Sequence, residues 1–208
     1  IVIDNFVANP EQLVKTAAVM NFAPAGKFFP GIRALTPKLY MQFVVINLKK
    51  VLVDWFGLEG KRLTFSESYY SLVTTPPGKL FLMQRIPHID SNNRNSLAMI
   101  HYLFDKNLGG TSFYRHRSTG FEYIDESRGE KYFKTLENES KDVGFPGSDY
   151  INGDTPFFER IAGQDGVFNR ILIYRQNSLH SGSIDENFVP DSNPLTGRLS
   201  INSFMDLA

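Results

Sequence analysis

Leu97-Ala98-Met99-Ile100-His101-Tyr102-Leu103-Phe104 is a mostly apolar run, and Gly109-Gly110 then turn the chain into Thr111-Ser112-Phe113-Tyr114. A run this short and this apolar reads as a strand buried on both faces, followed after a glycine turn by another strand. Upstream, Leu63-Thr64-Phe65-Ser66-Glu67-Ser68-Tyr69-Tyr70-Ser71-Leu72-Val73 is rich in β-formers and stops at Thr75-Pro76-Pro77-Gly78. Leu80-Phe81-Leu82-Met83 is a further apolar run that leads into Pro87-His88-Ile89-Asp90. Downstream, Arg170-Ile171-Leu172-Ile173-Tyr174 and Arg198-Leu199-Ser200-Ile201-Asn202-Ser203-Phe204 predict two more strands.

The N-terminal part has a different texture. After the apolar entry Ile1-Val2-Ile3, Asn9-Pro10-Glu11 marks a helix start, with Asn9 as cap and Pro10 at the first helical position. Pro24, Gly26, Pro30, Gly31 and Pro37 are expected to break regular structure over residues 23–37. A second helix is predicted over about residues 37–56, with Leu39, Phe43, Ile46 and Val53 at near-helical spacing and Gly57 as its stop. Residues 117–164 form a charged segment with helical character, around Glu130-Lys131-Tyr132-Phe133-Lys134-Thr135-Leu136-Glu137 and Phe157-Phe158-Glu159-Arg160. It reads either as a solvated surface excursion or as a lid that shapes a substrate site. The expectation is one α+β, mainly β domain over residues 1–208. It has a helical layer in residues 1–60 and a sandwich or barrel core in residues 61–208, with an insertion at about 117–164.

Composition narrows the chemistry. The 22 basic and 22 acidic residues cancel, so no global field favours nucleic acid or an anionic membrane. Cysteine is absent, which removes disulfide scaffolds, thiolate metal sites, iron–sulfur clusters and thiol nucleophiles. The 18 phenylalanines and nine tyrosines favour β-structure. No stretch approaches ~18 consecutive apolar residues, so no membrane span is expected. The chain opens on Ile1 rather than Met, so the natural N-terminus is expected upstream, where a targeting segment could lie.

There are four histidines. His88 and Asp90 stand two apart, and on an extended backbone they share a face and can reach one metal ion. Alone the pair is weak: with 22 acids in 208 residues, four histidines give such a pair by chance roughly one time in three. His180 follows the apolar strand at 170–174, and a strand end on the same barrel could return it to the first pair. On its own it would read as a loop histidine bonded to backbone. Two imidazoles and one carboxylate form the donor set of non-haem Fe(II) oxygenases. Arg198 strengthens the case, because Arg198, Ser200, Asn202 and Phe204 alternate onto one face of the last strand. A guanidinium there can clamp a carboxylate through two parallel hydrogen bonds, with Ser200 adding a third.

These motifs together resemble the 2-oxoglutarate/Fe(II) oxygenases, closest to their prolyl-hydroxylase branch, over residues 80–114 and 170–205. The resemblance rests on His88-Ile89-Asp90, Tyr102-Leu103, Gly109-Gly110, His180 and Arg198 in that order. It implies a double-stranded β-helix (jelly-roll, cupin-like) core with the N-terminal helices packed on one sheet. It implies Fe(II) on His88, Asp90 and His180, and 2-oxoglutarate steadied by Arg198, with Ser200, Tyr102 and Asn202 beside it and Phe204 lining the pocket. O2 would then be consumed with release of succinate and CO2 and hydroxylation of a substrate. Halogenation is disfavoured, because Asp90 fills the place of a halide. His101, facing away from Tyr102, and His116 read as structural, although Arg115-His116-Arg117 could instead meet an acidic group on a substrate. The chain departs from the family in its lead-in, where Phe81, Gln84 and Arg85 replace a tyrosine-rich segment.

The expected partner is a small molecule, an amino acid or a peptide, with no nucleic acid and no membrane. Nothing in the sequence fixes the oligomeric state. A cytoplasmic location is expected, because Fe(II) and 2-oxoglutarate are available there. Two other readings use the same residues: a zinc hydrolase with a His2Asp site and an activated water, and a catalytically silent jelly-roll binding module or sensor.

Overall fold

The computed structural model describes residues 1–57, 63–144 and 147–207, and the expected boundary at residues 60–61 lies outside them. Its strands are β1 (Val2–Ile3), β2 (Ala23–Pro24), β3 (Gly31–Leu35), β4 (Leu63–Val73), β5 (Leu97–Tyr102), β6 (Gly110–His116), β7 (Phe158–Asp165), β8 (Ile171–Arg175), β9 (His180–Ser183) and β10 (Leu199–Leu207). Its helices are α1 (Pro10–Ala18), α2 (Lys38–Phe56) and α3 (Glu126–Val143), with a 3-10 turn at Leu82–Gln84. Seven strands form one sheet in the order β1-β8-β5-β10-β4-β3-β2, and three form a second in the order β7-β6-β9. Every pairing is antiparallel. None of the described helices is long and apolar enough to cross a membrane.

Strand alternation sorts the large sheet into two faces. Leu97 and Met99 of β5, Ile171 and Ile173 of β8, and Ile201 and Met205 of β10 point toward the helices. There they pack with Ala17 of α1 and Tyr40, Val44, Leu48 and Leu52 of α2. Side chains buried this completely contribute about 1.5–3 kcal/mol each. The opposite face carries Ala98, Tyr102, Leu172 and Tyr174, against which Phe113 of the small sheet packs.

Three expectations change. The buried stripe of α2 is Tyr40-Val44-Leu48-Leu52, whereas Leu39 and Ile46 are 76% and 80% exposed. This helix is apolar nearly all round, so spacing alone does not pick the face; the hydroxyl of Tyr40, bonded to His101, does. Residues 23–37 hold β2 and β3 rather than irregular chain, with β3 paired to β4 from Gly31↔Val73 to Leu35↔Tyr69. Pro24 is tolerated because β2 is the sheet edge, and Pro30 and Pro37 fall outside β3. Phe157-Phe158-Glu159-Arg160, expected to be helical, enters β7, because His116↔Phe158 pairing and burial of both phenylalanines outweigh local propensity. Asn9 precedes α1 without a side-chain capping bond, while Pro10 occupies the first turn.

His101 is fully buried and braces the helical face. Asn169 Oδ1 accepts from the backbone N–H of Val7 at 3.1 Å, and the Asn169 amide donates to the carbonyl of Val7 at 2.8 Å. That fixes Oδ1 as an acceptor, so His101 Nε2 donates to it at 3.1 Å and Nδ1 accepts from the Tyr40 hydroxyl at 3.0 Å. Burial holds the His101 pKa down at about 4, partly offset by the bond to Asn169. An unfolded histidine titrates near ~6.5. Below that pH the unfolded chain takes up a proton that the folded one refuses. Stability is therefore expected to fall from pH ~6.5 to ~4, by on the order of 3 kcal/mol from this residue. Urea unfolding across that range on chelator-treated protein checks it: His101→Gln should start less stable at neutral pH and show a shallower decline.

The glycine pair is a second fixed point. Gly109 has φ +82°, and a Cβ on Gly110 would stand 1.9 Å from the carbonyl oxygen of Gln164 in β7. Gly110→Ala is expected to cost about 1–3 kcal/mol, a drop of roughly 2–12 °C in Tm on thermal unfolding.

Candidate active site

Between the two sheets lies a cavity of about 660 Å³. Its walls come from β3, β5, β6, β8, β9, β10, the residues after the 3-10 turn, and α3. Backbone pairing places the histidines. His88 N–H donates to the His180 carbonyl at 2.9 Å, and His180 N–H donates back to His88 at 3.0 Å. The Asp90 N–H is held by the carbonyl of Gln176 at 2.9 Å. The segment after Pro87 thus lies alongside β9, and its alternation turns His88 and Asp90 toward His180. His180, expected after the apolar strand at 170–174, opens β9 in the small sheet: β8 stops at Arg175, and four residues carry the chain across to the other sheet.

The ligating atoms of His88, Asp90 and His180 all lie within 4.8 Å of one another. His180 Nε2 is 3.4 Å from Asp90 Oδ2, and His88 Nε2 is 4.0 Å from Asp90 Oδ1. The Nδ1–H of His180 donates to the Ser178 carbonyl at 2.9 Å, which leaves the Nε2 lone pair facing the shared space. Burial, reinforced by the neighbouring His180, lowers the His88 pKa to about 4, although Asp90 pulls the other way. His88 is therefore neutral at pH 7, as ligation requires. Two imidazole nitrogens and a carboxylate on one side of a cavity fit a divalent first-row metal with its remaining positions open.

Arg198 immediately precedes β10 and is only 6% exposed. Its Nε and one terminal nitrogen donate to the carbonyls of Leu108 and Gly110, each at 2.9 Å. The guanidinium is thereby fixed, with donors left over where it lines the cavity. Ser200, Asn202 and Phe204 line the same cavity, and the Ser200 hydroxyl donates to Asn202 Oδ1 at 2.7 Å.

Tyr102, expected in the pocket, stands behind its wall. It is fully buried, and its hydroxyl is 2.7 Å from that of Thr111, which lines the cavity in its place. His116 is also fully buried, bridging Thr119 and Glu139 at 2.9 and 2.8 Å and tying β6 to α3. Arg115 pairs with Glu122 and Glu159, and Arg117 with Asp154, so neither is turned to the cavity.

Several cavity residues escaped the sequence reading. Tyr132, Phe133 and Leu136 make α3 a wall, so the charged segment shapes the cavity. Tyr174 packs against His180 at 4.7 Å between ring centres; alternation from Leu172 along the apolar strand was the available signal. Arg33, on β3, lines the cavity from a stretch whose prolines and glycines masked its strand.

Comparison with solved structures shows a shared fold. HygX from Streptomyces hygroscopicus, with nickel and 2-oxoglutarate bound, superposes with a TM-score of 0.57 at 11% identity, over 99% of this chain and 82% of that one. The non-heme alpha ketoglutarate dependent epimerase SnoN from nogalamycin biosynthesis gives 0.56 at 12%, over 99% and 77%. EctD from S. alaskensis with bound Fe gives 0.51 at 14%, over 99% and 72%. Comparison with curated protein sequences returns no match. Residues 1–205 match one family along their whole length, and the chain belongs to it: DUF6445, a family of unknown function.

Proposed function

We propose that this protein is an Fe(II)- and 2-oxoglutarate-dependent oxygenase that hydroxylates a small-molecule, amino-acid or peptide substrate. One observation carries the reading: a histidine–aspartate–histidine cluster and a buried arginine with unused donors line the same cavity. The fold shared with HygX, SnoN and EctD supports it. In this reading the two sheets are the halves of a double-stranded β-helix in one domain, and α1 and α2 are its helical layer, while β1, β2 and β3 of the same N-terminal region join the large sheet. The order of motifs supports a position near the prolyl-hydroxylase branch. Hydroxylation is the default outcome, and the need for reduced iron and 2-oxoglutarate fits the cytoplasm.

His88, Asp90 and His180 hold the metal from one side. His180 keeps its orientation through Ser178, and desolvation of the half-buried His88 holds its imidazole neutral. Arg198, locked by the carbonyls of Leu108 and Gly110, pairs with the distal carboxylate of 2-oxoglutarate, with the Thr111 and Ser200 hydroxyls on the same cavity surface. The bound iron and cosubstrate supply the oxidation, in which a C–H bond, O2 and 2-oxoglutarate become C–OH, succinate and CO2. Aromatic side chains around the cluster, Tyr174 and Phe113 against His180, exclude water from it.

Anaerobic titration of Fe(II)-loaded protein with 2-oxoglutarate tests this. A visible metal-to-ligand charge-transfer band is expected, and Arg198→Ala should weaken the cosubstrate by about 30- to 1,000-fold, because a buried charge pair loses one partner. Aerobic turnover should then release succinate. Bound iron with no band would sink the oxygenase reading and favour a hydrolase or a binding module.

A further inference from the structure

Arg33 occupies the same cavity as the cluster, on a strand that the proposed mechanism does not use. Its guanidinium carbon lies 4.2 Å from the ring centre of Phe29, 5.4 Å from Tyr69 and 5.9 Å from Phe204. Its Nε donates to the Ser71 hydroxyl at 3.2 Å. Three rings and one hydrogen bond thus fix the plane of the group. Among the described residues no carboxylate oxygen lies within 4.0 Å of it, and its terminal nitrogens make no hydrogen bond. Nor are those nitrogens sealed away: the one fully buried side-chain polar atom left without a partner among the described residues is the Tyr70 hydroxyl. The donors of Arg33 therefore open onto the cavity.

Charge balance says what they meet there, and this step rests on the proposed function. A divalent metal and Arg198 carry three positive charges, matched by Asp90 and the 2-oxoglutarate dianion. Glu137, at the mouth, is already paired with Lys141 at 2.7 Å. Glu67 and Asp90 act on Arg33 only at longer range, so it is the cation left without a close anion. A half-buried guanidinium beside aromatic rings loses hydration that only an anion restores well. About 660 Å³ is within the range of roughly 300–1,000 Å³ that houses drug-sized ligands, far more than a five-carbon keto acid fills. The remaining wall is largely apolar, including Phe28, Met83, Ile86, Tyr132, Phe133 and Leu136.

We propose that Arg33 anchors a carboxylate of the prime substrate, which is a small organic acid with a mainly apolar body. The carboxylate pairs with the two terminal nitrogens of Arg33, and the apolar body lies against the wall formed by α3 and Phe28.

The test uses Zn(II)-loaded protein saturated with 2-oxoglutarate, so that Arg198 is occupied and no turnover occurs. A matched panel of alkanoic and arylalkanoic acids and their primary amides is titrated by ligand-observed NMR. Acids should bind at least ~10-fold more tightly than their amides, as a charge-assisted pair requires. Arg33→Gln should abolish that preference, Arg33→Lys should keep part of it, and both should bind 2-oxoglutarate within about two-fold of wild type. Thermal unfolding confirms that the variants are folded. No preference in wild type, or a preference that survives Arg33→Gln, overturns the proposal, as does loss of 2-oxoglutarate binding in Arg33→Gln. If wild type fails to bind 2-oxoglutarate, the oxygenase reading falls separately. The panel is then run without it on Arg33→Gln and Arg198→Gln, and Arg33 is upheld only if its variant alone loses the preference.

Discussion

The site depends on two backbone hydrogen bonds between His88 and His180. They join residues 92 positions apart in the chain, and neither side chain could find the other without them. Because the bonds lie on the backbone, they set register, and a one-residue slip would turn His88 and Asp90 away from the cavity. Gln176 adds a third bond to Asp90, so the carboxylate is held by the crossing between β8 and β9. The cluster is thus a product of strand pairing, which is why its nitrogens and oxygens converge without any loop having to close over them.

The sequence was readable where the chain obeys short periods. β4 runs from Leu63 to Val73 as expected, α2 ends at Gly57, and the strands around His101, Phe113, Ile173 and Ile201 lie close to their expected positions. His88 and Asp90 could be paired because two residues on an extended chain share a face. His180 could not be placed so directly: its approach depends on a crossing between sheets that leaves no period in the sequence. Arg33 was invisible for a related reason. Its strand exists because β4 offers an edge and because Gly31, whose Cβ would meet the Leu72 carbonyl, allows close approach. Tyr102 shows the opposite limit. The family resemblance put it in the pocket; it does lie on that face of β5, but depth along the strand decided that Thr111 would intervene.

Two arginines without carboxylate partners bear on the energetics. Arg198 is held by carbonyl oxygens and Arg33 by aromatic faces, and both interactions orient a guanidinium without neutralising it. Such groups cost the fold free energy, because desolvation is only partly offset. A stability-only argument would replace them with apolar residues of similar volume. Their position in one cavity, with unused donors facing the space, is instead what differential binding of anions requires.

The two faces of the large sheet divide these tasks. Toward the helices, His101 is satisfied by Tyr40 and Asn169, and the surface is filled by buried Leu, Ile, Val and Met side chains. Toward the small sheet, the same strands present Ala98, Ser200 and Asn202, which are too small or too polar to close the gap, and the cavity follows. The walls that a substrate body would touch come from β3, its preceding loop and α3. β3 and its loop show little periodicity and α3 is a charged amphipathic helix, so neither carries a motif that names a substrate. The proposed carboxylate preference accordingly rests on a guanidinium without a close anion and not on a motif.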